Sequence, residues 1–124
     1  MSKKVLIVDD EPDMINILNL RLSREGYDVL TATDGLTCIK LAEEAKPDAI
    51  LLDVLLPGLG GIEVCKRLKN NARTRNIPVI LLTALMGGEV SEKSAEIGAF
   101  TFISKPFDLP ELMDRIREAV AQKK

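Results

Sequence analysis

Val5-Leu6-Ile7-Val8-Asp9-Asp10-Glu11-Pro12 is the stretch on which the fold turns. Four apolar residues run without a polar break, two aspartates follow at once, and a glutamate and a proline then open what reads as a helix. A short apolar run without alternation suits a strand covered on both faces, as in a parallel sheet. Moving outward, the same design recurs twice: Ala49-Ile50-Leu51-Leu52 ends in Asp53, and Val79-Ile80-Leu81-Leu82 ends in Thr83. Residues 27–32 and 100–104 are weaker strand candidates, and the first alternates as a strand nearer an edge would.

Between the strands the spacing becomes helical. Met14, Ile15, Leu18 and Leu22 form one apolar face, closed by Gly26. Leu36, Ile39, Leu41 and Ala42 form a second, and Ile62, Val64, Cys65 and Leu68 a third. Val90, Ala95 and Ile97 mark a weaker helix that stops at Gly98. Residues 109–120 make the last, with Leu112, Ile116 and Val120 on one face and Asp108 and Glu111 at capping-box spacing. Five strand–helix units predict an α/β fold of (βα)5 type, a doubly wound five-stranded parallel sheet. Strand order 2-1-3-4-5 would make it flavodoxin-like. The 124 residues predict one domain, 1–124, with its core at about 4–120.

Composition narrows the chemistry. With 46% hydrophobic and 29% charged residues the chain is not of the disordered class. Seventeen Lys and Arg against nineteen Asp and Glu supply no basic field, so direct nucleic-acid binding is not expected. The apolar runs are too short for a signal peptide or membrane span, which predicts a cytoplasmic protein without membrane association. There is no histidine, which removes Ser-His-Asp and Cys-His chemistry and any phosphohistidine on this chain. Carboxylates, hydroxyls and lysine are left to act. Cys38 and Cys65 have no C-x-x-C spacing and read as small core residues.

Ligands of open α/β sheets sit beyond the carboxyl ends of the strands. That rim carries Asp9, Asp10, Asp53, Thr83 and Lys105-Pro106. If the first and third strands are neighbours, three carboxylates converge and each raises the pKa of the others, so a cation is required. Oxygen ligands with few protein donors suit Mg²⁺ or Mn²⁺. Three carboxylates, a divalent ion and the Lys105 ammonium sum to zero charge. A phosphoryl group on one carboxylate would leave one net negative charge for the Thr83 hydroxyl and the Ala84 N–H to meet. Plainer roles stand beside these: Asp9 or Asp10 as a helix cap, Thr83 as a β-branched strand residue, and Gly58, Gly60 and Gly61 as turn geometry after Pro57.

Asp9-Asp10, Asp53 followed by Leu56-Pro57-Gly58, Thr83-Ala84 and Lys105-Pro106-Phe107 together resemble the receiver domain of bacterial two-component response regulators. The chain is similar to the single-domain, chemotaxis-type members, and the resemblance spans residues 4–120. It implies that Asp53 is the phosphoacceptor and attacks a phosphohistidine on a histidine kinase or histidine phosphotransfer protein. It implies that Asp10 and Asp53 bind the metal, Asp9 more often through water, with the Leu55 carbonyl completing the set. Lys105 would pair with Asp53 and then with the phosphoryl, which Thr83 and the Ala84 N–H would also bind. Phe102 falls where the family has a switch aromatic, and Lys105-Pro106 would be a cis peptide.

On this reading the chain is a phosphorylation-activated switch of a phosphorelay. It phosphorylates itself and slowly hydrolyses the product, without turning over an external substrate. Its output is contact with an unknown protein through residues 90–98, the last strand and the last helix, as a monomer or a phosphorylation-dependent dimer. Leu55 and Leu85, two residues after the acceptor and the threonine, cannot hold a hydrolytic water, which predicts slow dephosphorylation. Phe102 has no hydroxyl, so burying it needs no hydrogen-bond partner, and Gly87-Gly88 add backbone freedom nearby. Two other readings compete: an unphosphorylated scaffold, or pseudo-receiver, and a flavodoxin-like module for a flavin or other small ligand. The second calls for a hydroxyl-rich phosphate loop where this chain has Asp9-Asp10-Glu11.

Overall fold

The computed structural model describes residues 2–84 and 96–122. Among them, strands β1 (Lys4–Val8), β2 (Asp28–Ala32), β3 (Ala49–Asp53), β4 (Val79–Thr83) and β5 (Thr101–Ser104) alternate with helices α1 (Pro12–Arg24), α2 (Gly35–Ala45), α3 (Gly61–Lys69) and α4 (Leu109–Gln122). The strands form one parallel sheet in the order β2-β1-β3-β4-β5. Of the helix expected before β5, Val90 and Ala95 lie outside the described residues, as do Leu85, Gly87 and Gly88 ahead of it, while Ile97 is buried and Gly98 has φ +82°.

The central strands carry apolar side chains on both faces because helices cover both. Leu6, Val8, Ile50, Leu52, Val79 and Leu81 point toward α2 and α3, where Cys38, Ala42, Val64, Cys65 and Leu68 meet them. Val5, Ile7, Ala49, Leu51, Ile80 and Leu82 point the other way, toward Leu18 and Leu22 of α1 and Leu112, Met113 and Ile116 of α4. β2 is an edge strand, as its alternation predicts, with Asp28 and Thr31 exposed. Pro12 opens α1 at a position where its missing N–H is no loss, and Gly26, at φ +92°, makes the left-handed exit. The cap of α1 is Glu11, neither Asp9 nor Asp10.

One expected core residue is outside. Leu36 is 66% exposed, and α2 buries Gly35, Cys38 and Ala42 instead. A helix N-terminus at Asp34, whose carboxylate accepts the Thr37 N–H at 2.8 Å, sets the helix phase so that Gly35 faces inward and Leu36 outward. Gly35 must be small, since a Cβ there would lie 2.5 Å from Val64 Cγ2.

Cys38 and Cys65 face one another's helices within the core, and burial pushes the thiols up to about 12 and about 11. Both are therefore neutral at pH 8. A disulfide reagent should modify the native chain about a hundredfold or more slowly than the urea-unfolded chain, where both thiols react at the rate of free cysteine. Rapid native modification, followed by absorbance, would contradict the buried placement.

Candidate functional site

Every strand except β2 delivers a polar group to one end of the sheet. Asp9 follows β1, Asp53 ends β3, Thr83 ends β4, and Lys105 follows β5. The register explains the convergence, because Val8 pairs with Leu52, Asp53 with Leu82 and Thr83 with Ser104. The apolar runs stop at one level, and the first polar residue of each emerges beside the others.

Each of the two buried carboxylates is held by its own chain. Asp9 Oδ1 accepts the Glu11 N–H at 2.9 Å, and Asp53 Oδ1 accepts the Leu55 N–H at 3.0 Å. These are matching two-residue turns that pin one oxygen and leave the second to point across the rim. Lys105 Nζ donates to Asp53 Oδ2 at 3.1 Å and lies 3.6 Å from Asp9 Oδ2. Asp9 is 1% and Asp53 4% exposed, while Asp10 stands in solvent. Carboxylate oxygens of Asp9, Asp10 and Asp53 all lie within 4.8 Å of one another, so the three acids do converge.

The electrostatics are strained in a definite direction. Burial is the largest influence on Asp9 and raises its pKa, assisted by the Asp53 and Glu11 charges and only partly offset by the Glu11 N–H and Lys105. Burial also opposes the Lys105 charge. The Asp53 hydrogen bond and charge, with Asp9 and Glu11, outweigh it, so the Lys105 pKa is raised and the ammonium persists. One cation serves two buried anions, and Asp9 Oδ2 has no hydrogen-bond partner among the described residues. A buried carboxylate oxygen lacking a donor, beside two more carboxylates, is the donor set of a hard divalent cation.

The remaining predicted residues are placed around this centre. Thr83 is fully buried at the end of β4, and Ala84 follows it in an exposed bend. Leu55 is 57% exposed in the loop after β3. Phe102 is half-buried and packs against the cluster on the α2–α3 side of the sheet. The Lys105-Pro106 peptide is cis. Leu85 lies outside the described residues.

One contributor escapes a reading of turn geometry. Gly61 begins α3, and a Cβ on it would come within 2.3 Å of the Asp53 carbonyl oxygen and 2.8 Å of Val54 Cα. The Gly61 N–H bonds the Val54 carbonyl at 2.9 Å. The helix start thus rests on the backbone of the acidic strand end, and only glycine allows that approach. No local pattern announces it, because both partners are main chain.

The family model described as the response regulator receiver domain matches residues 5–117. Response regulator PleD of Caulobacter vibrioides is 44% identical over 117 residues, covering 94% of this chain and 26% of that protein. The PhoP regulator of alkaline phosphatase synthesis from Bacillus subtilis is also 44% identical, over 94% of this chain and 48% of its own length. The chain therefore spans a quarter to a half of these longer relatives. By contrast, 94% of sporulation initiation phosphotransferase F from Bacillus subtilis is covered, at 38% identity and over 95% of this chain. Among solved structures, the chemotaxis response regulator CheY4 of Vibrio cholerae superposes with a TM-score of 0.89 at 28% identity, over 96% of this chain and 99% of that one. The receiver domain of sensor histidine kinase PA1611 from Pseudomonas aeruginosa, described with a magnesium ion in its active-site cleft, gives 0.86 at 29% identity, over 98% and 99%.

The raised Asp9 pKa carries a sign. A carboxyl favoured as the neutral acid by folding contributes stability that is complete below its unfolded value of 3.8 and is lost as pH rises through the higher folded value. Asp9→Asn removes the charge that burial disfavours and should raise the unfolding free energy of the metal-free chain at pH 7 by about 1–2 kcal/mol. The gain should vanish near pH 3. Urea titrations at both pH values measure it, and a less stable Asn variant at pH 7 would contradict the assignment.

Proposed function

Because the chain belongs to the response regulator receiver domain family, we propose that it is a phosphorylation-activated switch whose acceptor is Asp53. The observation that carries this reading is the Lys105 Nζ–Asp53 Oδ2 contact of 3.1 Å within the convergent Asp9, Asp10 and Asp53 cluster. A carboxylate held by its own backbone through one oxygen has its second oxygen oriented for attack. The lysine beside that oxygen offsets the charge of an incoming phosphoryl group. Asp9, Asp10, Asp53 and the Leu55 carbonyl would hold Mg²⁺ or Mn²⁺. When bound, that ion supplies neutralisation of the phosphoryl oxygens.

With no histidine in the chain, the donor imidazole comes from a partner, a histidine kinase or histidine phosphotransfer protein. An apolar cleft of about 490 Å³ beside Lys105, lined also by Met14, Ile17, Pro106 and Phe107, offers that partner a footing next to the acceptor. In the transfer, Asp53 Oδ2 forms the new O–P bond as the P–N bond to the imidazole breaks, and the imidazole retains the bonding pair. Lys105 then bonds the phosphoryl oxygens, and the Thr83 hydroxyl and Ala84 N–H receive the remaining charge.

A shift of Thr83 would reach β5 through the ladder, and Phe102 would respond by turning inward. The altered surface of residues 96–98, β5 and α4 would then bind an output protein, as a monomer or through a phosphorylation-dependent dimer. No described helix is long and apolar enough to cross a membrane, which accords with a cytoplasmic place of action.

Treatment with acetyl phosphate and Mg²⁺ should add one phosphoryl group by intact mass. Asp53→Ala should add none. Uptake by Asp53→Ala would overturn Asp53 as the acceptor, and no uptake by the native chain would favour the unphosphorylated scaffold. The exposed Leu55 offers no group to orient water toward the acyl phosphate, so the phosphorylated chain should persist for minutes or longer. Leu55→Asn should shorten that lifetime several-fold in a quenched time course. A native lifetime of seconds would contradict this.

A further inference from the structure

The end of the sheet opposite Asp53 holds an anchored lysine. Lys69, at the last position of α3, is half-buried, and its Nζ donates to the Arg75 carbonyl at 3.1 Å and to the Ile77 carbonyl at 2.6 Å. Its stem lies against the left-handed Gly98, where a Cβ would come within 3.4 Å of Lys69 Cγ. The amine is therefore fixed in place rather than swinging in solvent. Two clefts border it. One of about 460 Å³ is shared with Lys66, Asn70 and Glu96. The other, about 260 Å³, is shared with Arg75, Asn76 and Phe100 and has no acidic side chain among the described residues that line it.

We propose that Lys69 is an acylation site, an anchored amine that takes the acyl group of a small acyl phosphate seated in the cleft beside Arg75. The two carbonyls can both be satisfied by a neutral amine, which has two N–H donors and keeps its lone pair for the third direction. Burial lowers the Lys69 pKa, in contrast to Lys105, whose acidic partners hold it charged. Neighbouring Cys65, on the same helix, is a neutral thiol, and Glu96, Lys66 and Arg75 are the charged groups lining the two clefts. Residues 66–75 carry Lys66, Arg67, Lys69, Arg73 and Arg75 with no acid among them, so an anionic reagent is drawn to this end of the molecule.

In the step itself the amine nitrogen attacks the acyl carbon and the N–C bond forms. The acyl C–O bond to phosphorus breaks, and inorganic phosphate leaves with the bonding pair beside Arg75. The surplus amine proton passes to water. The amide product retains a single N–H, so one of the Arg75 and Ile77 carbonyls loses its donor, while the Thr74 hydroxyl still holds the loop to the Leu68 carbonyl of α3. An acyl phosphate has two electrophilic atoms. Phosphorus suits the carboxylate at one end of the sheet, and the acyl carbon suits the amine at the other.

The test uses the full chain with acetyl phosphate deuterated in its acetyl group, at low conversion, with site occupancy read by peptide mass spectrometry. Lys69 should acquire the label several-fold faster than the exposed Lys3 and Lys40, and the preference should disappear in urea. Labelling at or below their rate overturns the proposal. Arg75→Ala, which keeps the backbone carbonyl, should slow labelling by acetyl phosphate several-fold but leave labelling by uncharged acetic anhydride unchanged. An equal effect on both reagents, or none, overturns the seat for the anion. Asp53→Ala should leave Lys69 labelling unchanged, so failure here and failure of the phosphoacceptor reading are separable.

Discussion

Two buried carboxylates sharing one ammonium group is the constraint around which the rest of the molecule is arranged. Asp9 and Asp53 leave solvent because the strands that carry them are central in a sheet covered on both faces. Lys105 arrives from an edge strand, two positions from β3 and three from β1 in sheet order, and its side chain reaches back across β4 to meet them. The pairing is incomplete by one charge, and the raised Asp9 pKa together with the orphaned Asp9 Oδ2 records the deficit. A folded protein tolerates such a deficit where charge is to be added and removed. The strain belongs to the chemistry of the rim and is offset by the packed layers beneath it.

How much of this was legible in the chain itself follows the range of each interaction. The uninterrupted runs at residues 5–8, 49–52 and 79–82 announce central parallel strands, because a strand buried twice cannot alternate. Their polar last residues, Asp9, Asp53 and Thr83, are legible for the same reason, since register aligns the points where apolarity stops. The phase of α2 was less so. Leu36 looks like core by composition, yet the Asp34 cap rotates it outward and gives the buried position to Gly35. Gly61 is harder still, being selected by contact with the backbone of Asp53, which carries no side-chain signature. Lys69 likewise reads as one cation among several until the chain reversal brings the Arg75 and Ile77 carbonyls to it.

The strands also impose a polarity of charge. At their carboxyl ends lie Asp9, Asp10, Glu11, Asp13 and Asp53 with Lys105, while α3 and the loop before β4 bring five cations to the amino ends, where Asp28 and Asp48 also stand. Parallel topology causes this separation, since every strand ends on the same side and every crossover returns to the other. An antiparallel sheet of the same composition would mix the two sets. The near-neutral net charge of −2 therefore hides two fields of opposite sign.

That polarity bears on how a change at the acidic rim could be felt elsewhere. Lys105 is bound twice: its backbone N–H donates to the Thr83 carbonyl at 2.7 Å, and its ammonium holds Asp53. The end of β4 and the start of the loop after β5 are thus joined to Asp53 by one chain of hydrogen bonds. Phe102 sits three residues earlier on β5, paired in register with Leu81, half-buried and with nothing polar to desolvate. A strand locked on both faces would resist displacement, but β5 lies at the sheet edge and is the shortest of the five at four residues. An edge strand has one ladder to distort instead of two, and its aromatic ring needs only apolar contacts in either position. Linked to the charged site through Lys105 and paired along one side only, β5 is thus a strand whose displacement disturbs few ladder hydrogen bonds.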